Sequence, residues 1–177
     1  YGIVGEAETI LTKLLNYLDQ NKKIAIANVI TRYTESVKSV EKSEEVLDIS
    51  NANINQFIDF EPYKIRGNYP IQTKRGCAHK CVYCSYPNIE GNQYRLRSVT
   101  DIVNEIQEIN SRIPQVTFEF VDSTFNSPLD HAVNVCKEII KRNLKLKLRT
   151  MGINPGEVTE ELILLMKEAG FTQIDCT

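Results

Sequence analysis

Apolar positions along this chain change period several times, and from Tyr69 onward the changes alternate regularly between strand and helix. Tyr69 to Thr73 is a short apolar run that predicts a strand. Val99, Ile102, Val103, Ile106, Ile109 and Ile113 recur at helical spacing, with Ser98 placed to cap the helix, Asp101 at its third position and Pro114 after it. Val116 to Val121 predicts a second strand. Ser127-Pro128 then predicts a cap and a first-position proline for a helix whose buried face is Leu129, Ala132, Val133, Cys136, Ile139 and Ile140. Leu144 to Arg149 alternates apolar and basic residues as a third strand does. Thr159-Glu-Glu161 starts a third helix that runs through Met166 and stops at Gly170, and Phe171 to Cys176 predicts a fourth strand.

Upstream the pattern is different. A strand-like opening, Tyr1 to Val4, turns at Gly5, and Ile10, Leu11, Leu14, Leu15 and Leu18 then predict a helix over about Glu6 to Gln20 with acidic residues at its positive end. From about Ile24 to Asn68 sustained periodicity is missing, so residues 21–68 are expected to be a connecting segment, with one short helix near Ile54 to Phe60. A linker this long predicts a boundary between residues 1–20 and a domain over residues 69–177. The chain is expected to be a piece of a longer protein, because strand-like sequence stands at both of its ends.

Strands about thirty residues apart with helices between them predict right-handed βαβ units and a parallel sheet. Two closures are open, a doubly wound sheet or a (β/α) barrel of the TIM type, of which about four units are present against the roughly 200 residues that eight units need. In both, ligands bind at the carboxyl ends of the strands.

Composition narrows the function classes. With 42% hydrophobic and 25% charged residues among 177, the chain can bury a core. A net charge of -2 offers no basic field for nucleic acid, no apolar run is long enough to span a bilayer, and tyrosines and basic residues do not interleave as single-stranded nucleic acid would require. Five cysteines favour a reducing compartment, taken as the cytoplasm.

Three of those cysteines, Cys77, Cys81 and Cys84, stand in a Cys-x-x-x-Cys-x-x-Cys spacing directly after the Tyr69 to Thr73 run. Disulfide pairing would leave one over and gain little from so short a loop, whereas three close thiolates can hold a corner of an iron-sulfur cluster. Zinc, with His79 as a fourth ligand, is the competing reading. Cys136, on the apolar helical stripe, and Cys176, in an apolar strand, are expected to be small core residues, and His131, in the first turn of a helix, a surface group.

Strand, three-cysteine loop and the aromatic Tyr83 before the last cysteine together resemble the radical S-adenosylmethionine superfamily over most of Tyr69 to Thr177. The wording is most similar to its cobalamin-binding-domain branch: Gln72-Thr-Lys-Arg-Gly-Cys77, Cys84-Ser-Tyr-Pro87, Arg95-Leu-Arg-Ser98, Phe120-Val-Asp122-Ser-Thr-Phe125-Asn126 and Met166-Lys-Glu-Ala-Gly170. Gly5-Glu-Ala-Glu8 is similar to a segment near the end of that branch's cobalamin domain, with Ala7 in place of a glycine. The resemblance implies a partial radical S-adenosylmethionine barrel over residues 69–177, a remnant of a Rossmann-like cobalamin-binding domain over 1–20 and a connecting segment over 21–68. It implies Cys77, Cys81 and Cys84 as ligands of a 4Fe-4S cluster whose fourth iron receives S-adenosylmethionine. It further implies reductive cleavage of that cofactor to a 5'-deoxyadenosyl radical, and a cobalamin-type methyltransferase or cyclase acting on an unactivated carbon. A methylthiotransferase is the second enzyme reading, and a non-catalytic zinc or electron-transfer module the reading from another class.

As further implications of the resemblance, Tyr83 presents its backbone to the adenine or packs its ring under the loop. Asp122 contacts the methionyl amino group or caps a helix turn. Asn126 and Arg149 are candidate further contacts or structural groups, and Lys74, Arg75 and Lys80 either tune the cluster or are solvated loop charges. The Asp-x-His-x-x-Gly signature that ligates cobalt is absent from these 177 residues, so cobalamin is expected only of a full-length protein. The partners implied are a small-molecule substrate and a reductant such as flavodoxin or ferredoxin.

Overall fold

The computed structural model describes residues 1–36, 40, 42, 46, 49, 59, 62–63 and 67–176. Its centre is a four-stranded parallel sheet in the order β3 (Asn68–Ile71), β6 (Thr117–Phe120), β7 (Lys147–Ile153), β8 (Phe171–Cys176). Between these strands run α3 (Val99–Arg112), α4 (Leu129–Lys141) and α5 (Glu160–Ala169). The parallel α/β expectation is therefore met.

Alternation explains the sheet. Tyr69, Ile71, Phe118, Phe120 and Leu148 are buried on it, and Phe120 packs against both Phe125 and Phe171 with ring centroids 4.7 and 5.5 Å away. The helices answer with one stripe each: Ile102, Val103, Ile106 and Ile109 of α3 are all fully buried. Burying each such side chain contributes about 1.5–3 kcal/mol. The caps foreseen at two helices are present. Ser98 Oγ accepts from the Asp101 N–H at 3.5 Å, Thr159 Oγ1 accepts from Leu162 at 3.1 Å, and Gly170 ends α5 in the left-handed conformation with φ of 104°.

Other expectations are corrected. The third strand runs over Lys147–Ile153 rather than Leu144 to Arg149, because Asn143 turns the chain at a positive φ of 52° after α4. Ser127 does not cap α4, whose first residue follows Pro128 without a side-chain cap; its hydroxyl is used elsewhere. The buried face of α4 is His131, Ala132, Val135, Cys136 and Ile139, so the stripe is rotated and takes in His131. Cys176, at the end of the last strand, is exposed rather than in the core.

The amino-terminal helix α1 (Glu8–Asp19) forms close to its expected bounds and buries Ile10 and Leu14. The opening strand β1 (Gly2–Ile3) pairs antiparallel with β2 (Val29–Ile30), so a short strand lies inside the expected connecting segment. The helix expected near Ile54 to Phe60 lies, apart from Asp59, outside the described residues. Two small elements were not anticipated: a ribbon in which β4 (Lys74–Arg75) pairs antiparallel with β5 (Arg95–Leu96), and the short helix α2 (Tyr86–Glu90) between them. Among the described residues no helix is long and apolar enough to cross a membrane.

Candidate functional site

At the carboxyl ends of β3, β6 and β7 three segments meet. The cysteine loop leaves β3 through β4, Asp122 to Asn126 leave β6, and Asn154 to Glu157 leave β7. Hydrogen bonds tie them together. Phe125 N–H donates to the Gly152 carbonyl at 2.9 Å, and the Asn126 amide clamps Asn154, donating to its carbonyl at 2.9 Å and accepting from its N–H at 2.7 Å. Asn126 is fully buried, and its amide nitrogen and oxygen each take part in joining two strand ends.

The cysteine loop is folded by backbone contacts. Cys77 is buried and its N–H donates to the Gly91 carbonyl at 3.2 Å; the Cys84 N–H donates to Cys81 carbonyl at 3.1 Å. Gly76 has φ of 82°, and a Cβ there would lie 1.9 Å from the Gln93 carbonyl, so only glycine lets the segment leading into β5 approach this closely. Glu90 Oε2 accepts from the Gly76 N–H at 3.3 Å, and Arg95 Nη2 holds the Glu90 carbonyl at 2.5 Å. The ribbon and α2 thus form the wall against which the cysteines sit.

Three thiol donors on one loop suit iron-sulfur ligation, and the Tyr86 N–H donates to Cys84 Sγ at 3.4 Å, the kind of contact that tunes a cluster thiolate. Among the described residues no three His, Cys, Asp or Glu side chains converge on a single metal ion. A cubane cluster takes each thiolate on a different iron, and three thiols carried by one loop supply the donor chemistry that such a cluster uses. His79 is engaged elsewhere: its Nε2 lies 3.1 Å from Ser127 Oγ and 3.7 Å from Glu157 Oε1, and Ser127 also donates to Glu157. Zinc ligation through Nε2 would break those contacts.

Tyr83 is 87% exposed, so its ring does not pack under the loop. Asp122 is buried and accepts from Thr73 N–H at 2.8 Å, Lys74 N–H at 3.2 Å and Thr73 Oγ1 at 2.7 Å, with Lys74 Nζ at 3.5 Å. It caps no helix turn; it joins the end of β6 to the start of the cysteine loop. Arg149 pairs with Glu119 at 2.8 Å on the face of the sheet, a structural contact. Lys74 is buried rather than solvated, and burial pushes its pKa down against the opposing pull of Asp122 and Cys77. His131, expected at the surface, is buried with Nε2 3.3 Å from the Thr73 carbonyl, and burial holds its pKa below the ordinary value. Its signal was present in the sequence, since His131, Val135 and Ile139 share one helical row. The burial of Lys74 had no such signal, because Thr73 and Lys74 are both buried and break the strand alternation.

A parallel α/β sheet that carries a three-cysteine loop over its strand ends is a cofactor-binding architecture. The model of the radical SAM superfamily matches residues 71–177, and the chain belongs to that superfamily, whose members use a 4Fe-4S cluster and S-adenosylmethionine. Tryptophan 2-C-methyltransferase of Streptomyces laurentii is 30% identical over 125 residues, 62% of this chain and 21% of that protein. The ribosomal protein uS12 methylthiotransferase RimO of Prochlorococcus marinus is 27% identical over 172 residues, 92% of this chain and 36% of that protein. Among solved structures, the radical S-adenosylmethionine methyltransferase TsrM from Kitasatospora setae, with tryptophan and a SAM analog bound, superposes with a TM-score of 0.75 at 23% identity, covering 98% of this chain and 36% of TsrM. A second TsrM structure, with cobalamin and a [4Fe-4S] cluster bound, has a TM-score of 0.70 at 22% identity, with the same coverage. At these identities the solved structures show a shared fold. The chain spans between a fifth and about a third of the length of these proteins.

Proposed function

We propose that residues 69–177 are the amino-terminal part of a radical S-adenosylmethionine core, a partial barrel of about four βα units in which Cys77, Cys81 and Cys84 hold the cluster. Residues 1–20 are read as the remnant of a cobalamin-binding domain and 21–68 as the segment connecting it to the core. The observation that carries this reading is the position of the cysteine loop, tied down at the carboxyl end of β3 beside the end of β6. When bound, the cluster supplies the electron that cleaves S-adenosylmethionine to a 5'-deoxyadenosyl radical.

The chain's own residues hold that site in shape. Glu90 and Gly91 anchor Gly76 and Cys77, and the Asn126 clamp fixes the floor between two strands. Tyr83, exposed on the loop, offers backbone groups to an adenine, while Asp122 and Asn126 shape the strand ends around the methionyl group. The reaction favoured is cobalamin-type methyl transfer or cyclisation at an unactivated carbon of a small molecule, in a cytoplasmic enzyme served by a flavodoxin or ferredoxin. The similarity to a tryptophan C-methyltransferase supports methyl transfer. Methylthiotransfer is the second reading, supported by a RimO match that runs over 92% of the chain.

Anaerobic reconstitution with iron and sulfide tests the first step. A charge-transfer absorbance near the 400 nm region, lost in Cys77→Ala, Cys81→Ala and Cys84→Ala but kept in Cys136→Ala, is expected. Retention of one zinc per chain with no such band would sink the reading. Cobalamin uptake by the full-length protein separates the methyltransferase from the methylthiotransferase reading.

A further inference from the structure

Lys74 and Asp122 form an ion pair whose side chains are 1% and 0% exposed, at the root of the cysteine loop. Lys74 Nζ lies 3.5 Å from Asp122 Oδ2 and 3.4 Å from the Phe125 carbonyl. The carboxylate is held in turn by the Thr73 hydroxyl and by the N–H groups of Thr73 and Lys74, and His131 closes the cluster of groups through the Thr73 carbonyl. Taking two charges out of water costs more than packing apolar residues of the same volume, so a buried pair is poorly explained by stability alone. Its surroundings suggest another use. Cys77, three residues on in the same loop, is itself buried. In so poorly hydrated a place a fixed charge acts on its neighbours far more strongly than at the surface.

We infer that the Lys74–Asp122 pair is a fixed dipole that sets the reduction potential of the cluster held by Cys77, with Lys74 and Asp122 as positioning residues. The inference rests on the proposed cluster at Cys77, Cys81 and Cys84. Reduction adds a negative charge to a cluster, so a nearby ammonium makes reduction easier and a nearby carboxylate makes it harder. Asp122 serves both ends of this arrangement. It fixes the ammonium and, through Thr73, the strand that leads into the loop.

The test is an EPR-monitored redox titration of the anaerobically reconstituted protein, native and variant. Lys74→Met, close to lysine in volume, is expected to lower the potential, Asp122→Asn to raise it, and the double variant to lie between the two single variants but measurably away from the native value, the difference being the net effect of the dipole. Lys74→Arg, which keeps the charge, is expected to stay near native. Opposite signs at the two residues distinguish a dipole from a prop. If every variant loses the cluster, or if all potentials are unmoved or shift the same way, the pair is merely structural and the inference is overturned. A variant Asp122→Asn with native potential but weakened binding of S-adenosylmethionine would mean that Asp122 serves the cofactor and not the potential, and would also overturn it. A native protein that takes up no cluster removes the proposed function, and this inference with it.

Discussion

Glu6 and Arg95, 89 residues apart in the chain, form a two-pronged ion pair in which Glu6 Oε1 lies 2.7 Å from Arg95 Nη2 and Oε2 lies 2.8 Å from Nη1. Both side chains are more than nine-tenths buried. Burial alone would push the Glu6 pKa up, but the Arg95 hydrogen bond, the Val46 N–H and the charges of Arg95 and Arg75 outweigh it and hold the carboxyl below its usual range. The pair links the turn before α1 to the ribbon that backs the cysteine loop, since Arg95 also holds the Glu90 carbonyl.

Breaking that pair from one side leaves a buried charge without its counterion. Arg95→Met is expected to destabilise the protein by about 3–5 kcal/mol in chemical denaturation, and adding Glu6→Leu should recover much of the loss. A single variant within about 0.5 kcal/mol of native would show that the pair is not buried in solution.

Two glycines with positive φ make a matched test of the loop wall. Gly67→Ala, with φ of 76° and open space around a new Cβ, is expected to cost about 1–2 kcal/mol from backbone conformation alone. Gly76→Ala must in addition displace the Gln93 carbonyl, so its loss of stability should clearly exceed that of Gly67→Ala and be accompanied by poorer cluster uptake. Equal losses in thermal denaturation would mean that the backbone at Gln93 does not press on Gly76.

The thiols differ in reactivity by environment. Burial pushes the Cys136 thiol up to about 12, whereas Cys81 and Cys176 are exposed. Since the thiolate is the attacking species, alkylation of the native metal-free protein at pH 8 followed by mass mapping is expected to mark Cys81 and Cys176 and to spare Cys136 until denaturant is added. Early labelling of Cys136 would contradict its place on the buried face of α4.

His131 gives the fold a pH dependence. Its folded pKa lies below the ordinary 6.5, through burial first and the nearby Lys74 charge, against the Thr73 carbonyl and Asp122. A depressed pKa contributes stability that is present above 6.5 and is lost as pH falls through the folded value. Stability measured between pH 8 and pH 5 should therefore fall on acidification, and fall less steeply in His131→Gln. Parallel pH profiles for the two proteins would rule out this assignment.

Much of the architecture was legible because it is written in local terms. Ser98, Thr159 and Gly170 mark helix ends through bonds to residues three or four places away, and the Ile102 to Ile109 stripe needs only the helical period to declare its buried face. In helix α4 the apolar spacing alone points to a stripe rotated from the observed one, because His131 declares its burial only through a partner, the Thr73 carbonyl, 58 residues away. The ribbon β4–β5 and the helix α2 are too short to leave a periodic trace, and both are held by contacts with the cysteine loop itself.

The sequence by itself determined the parallel order of strand and helix, the three-cysteine spacing and its place behind the first strand of the sheet. These depend on residue type and spacing, which one dimension contains. Only the tertiary structure decided that Lys74 is a buried cation paired with Asp122, that His79 turns to Ser127 and Glu157, and that Glu6 is tied to Arg95. Each of those outcomes pairs groups that are distant in the chain, and whether a charge is solvated or buried depends on what the fold brings against it.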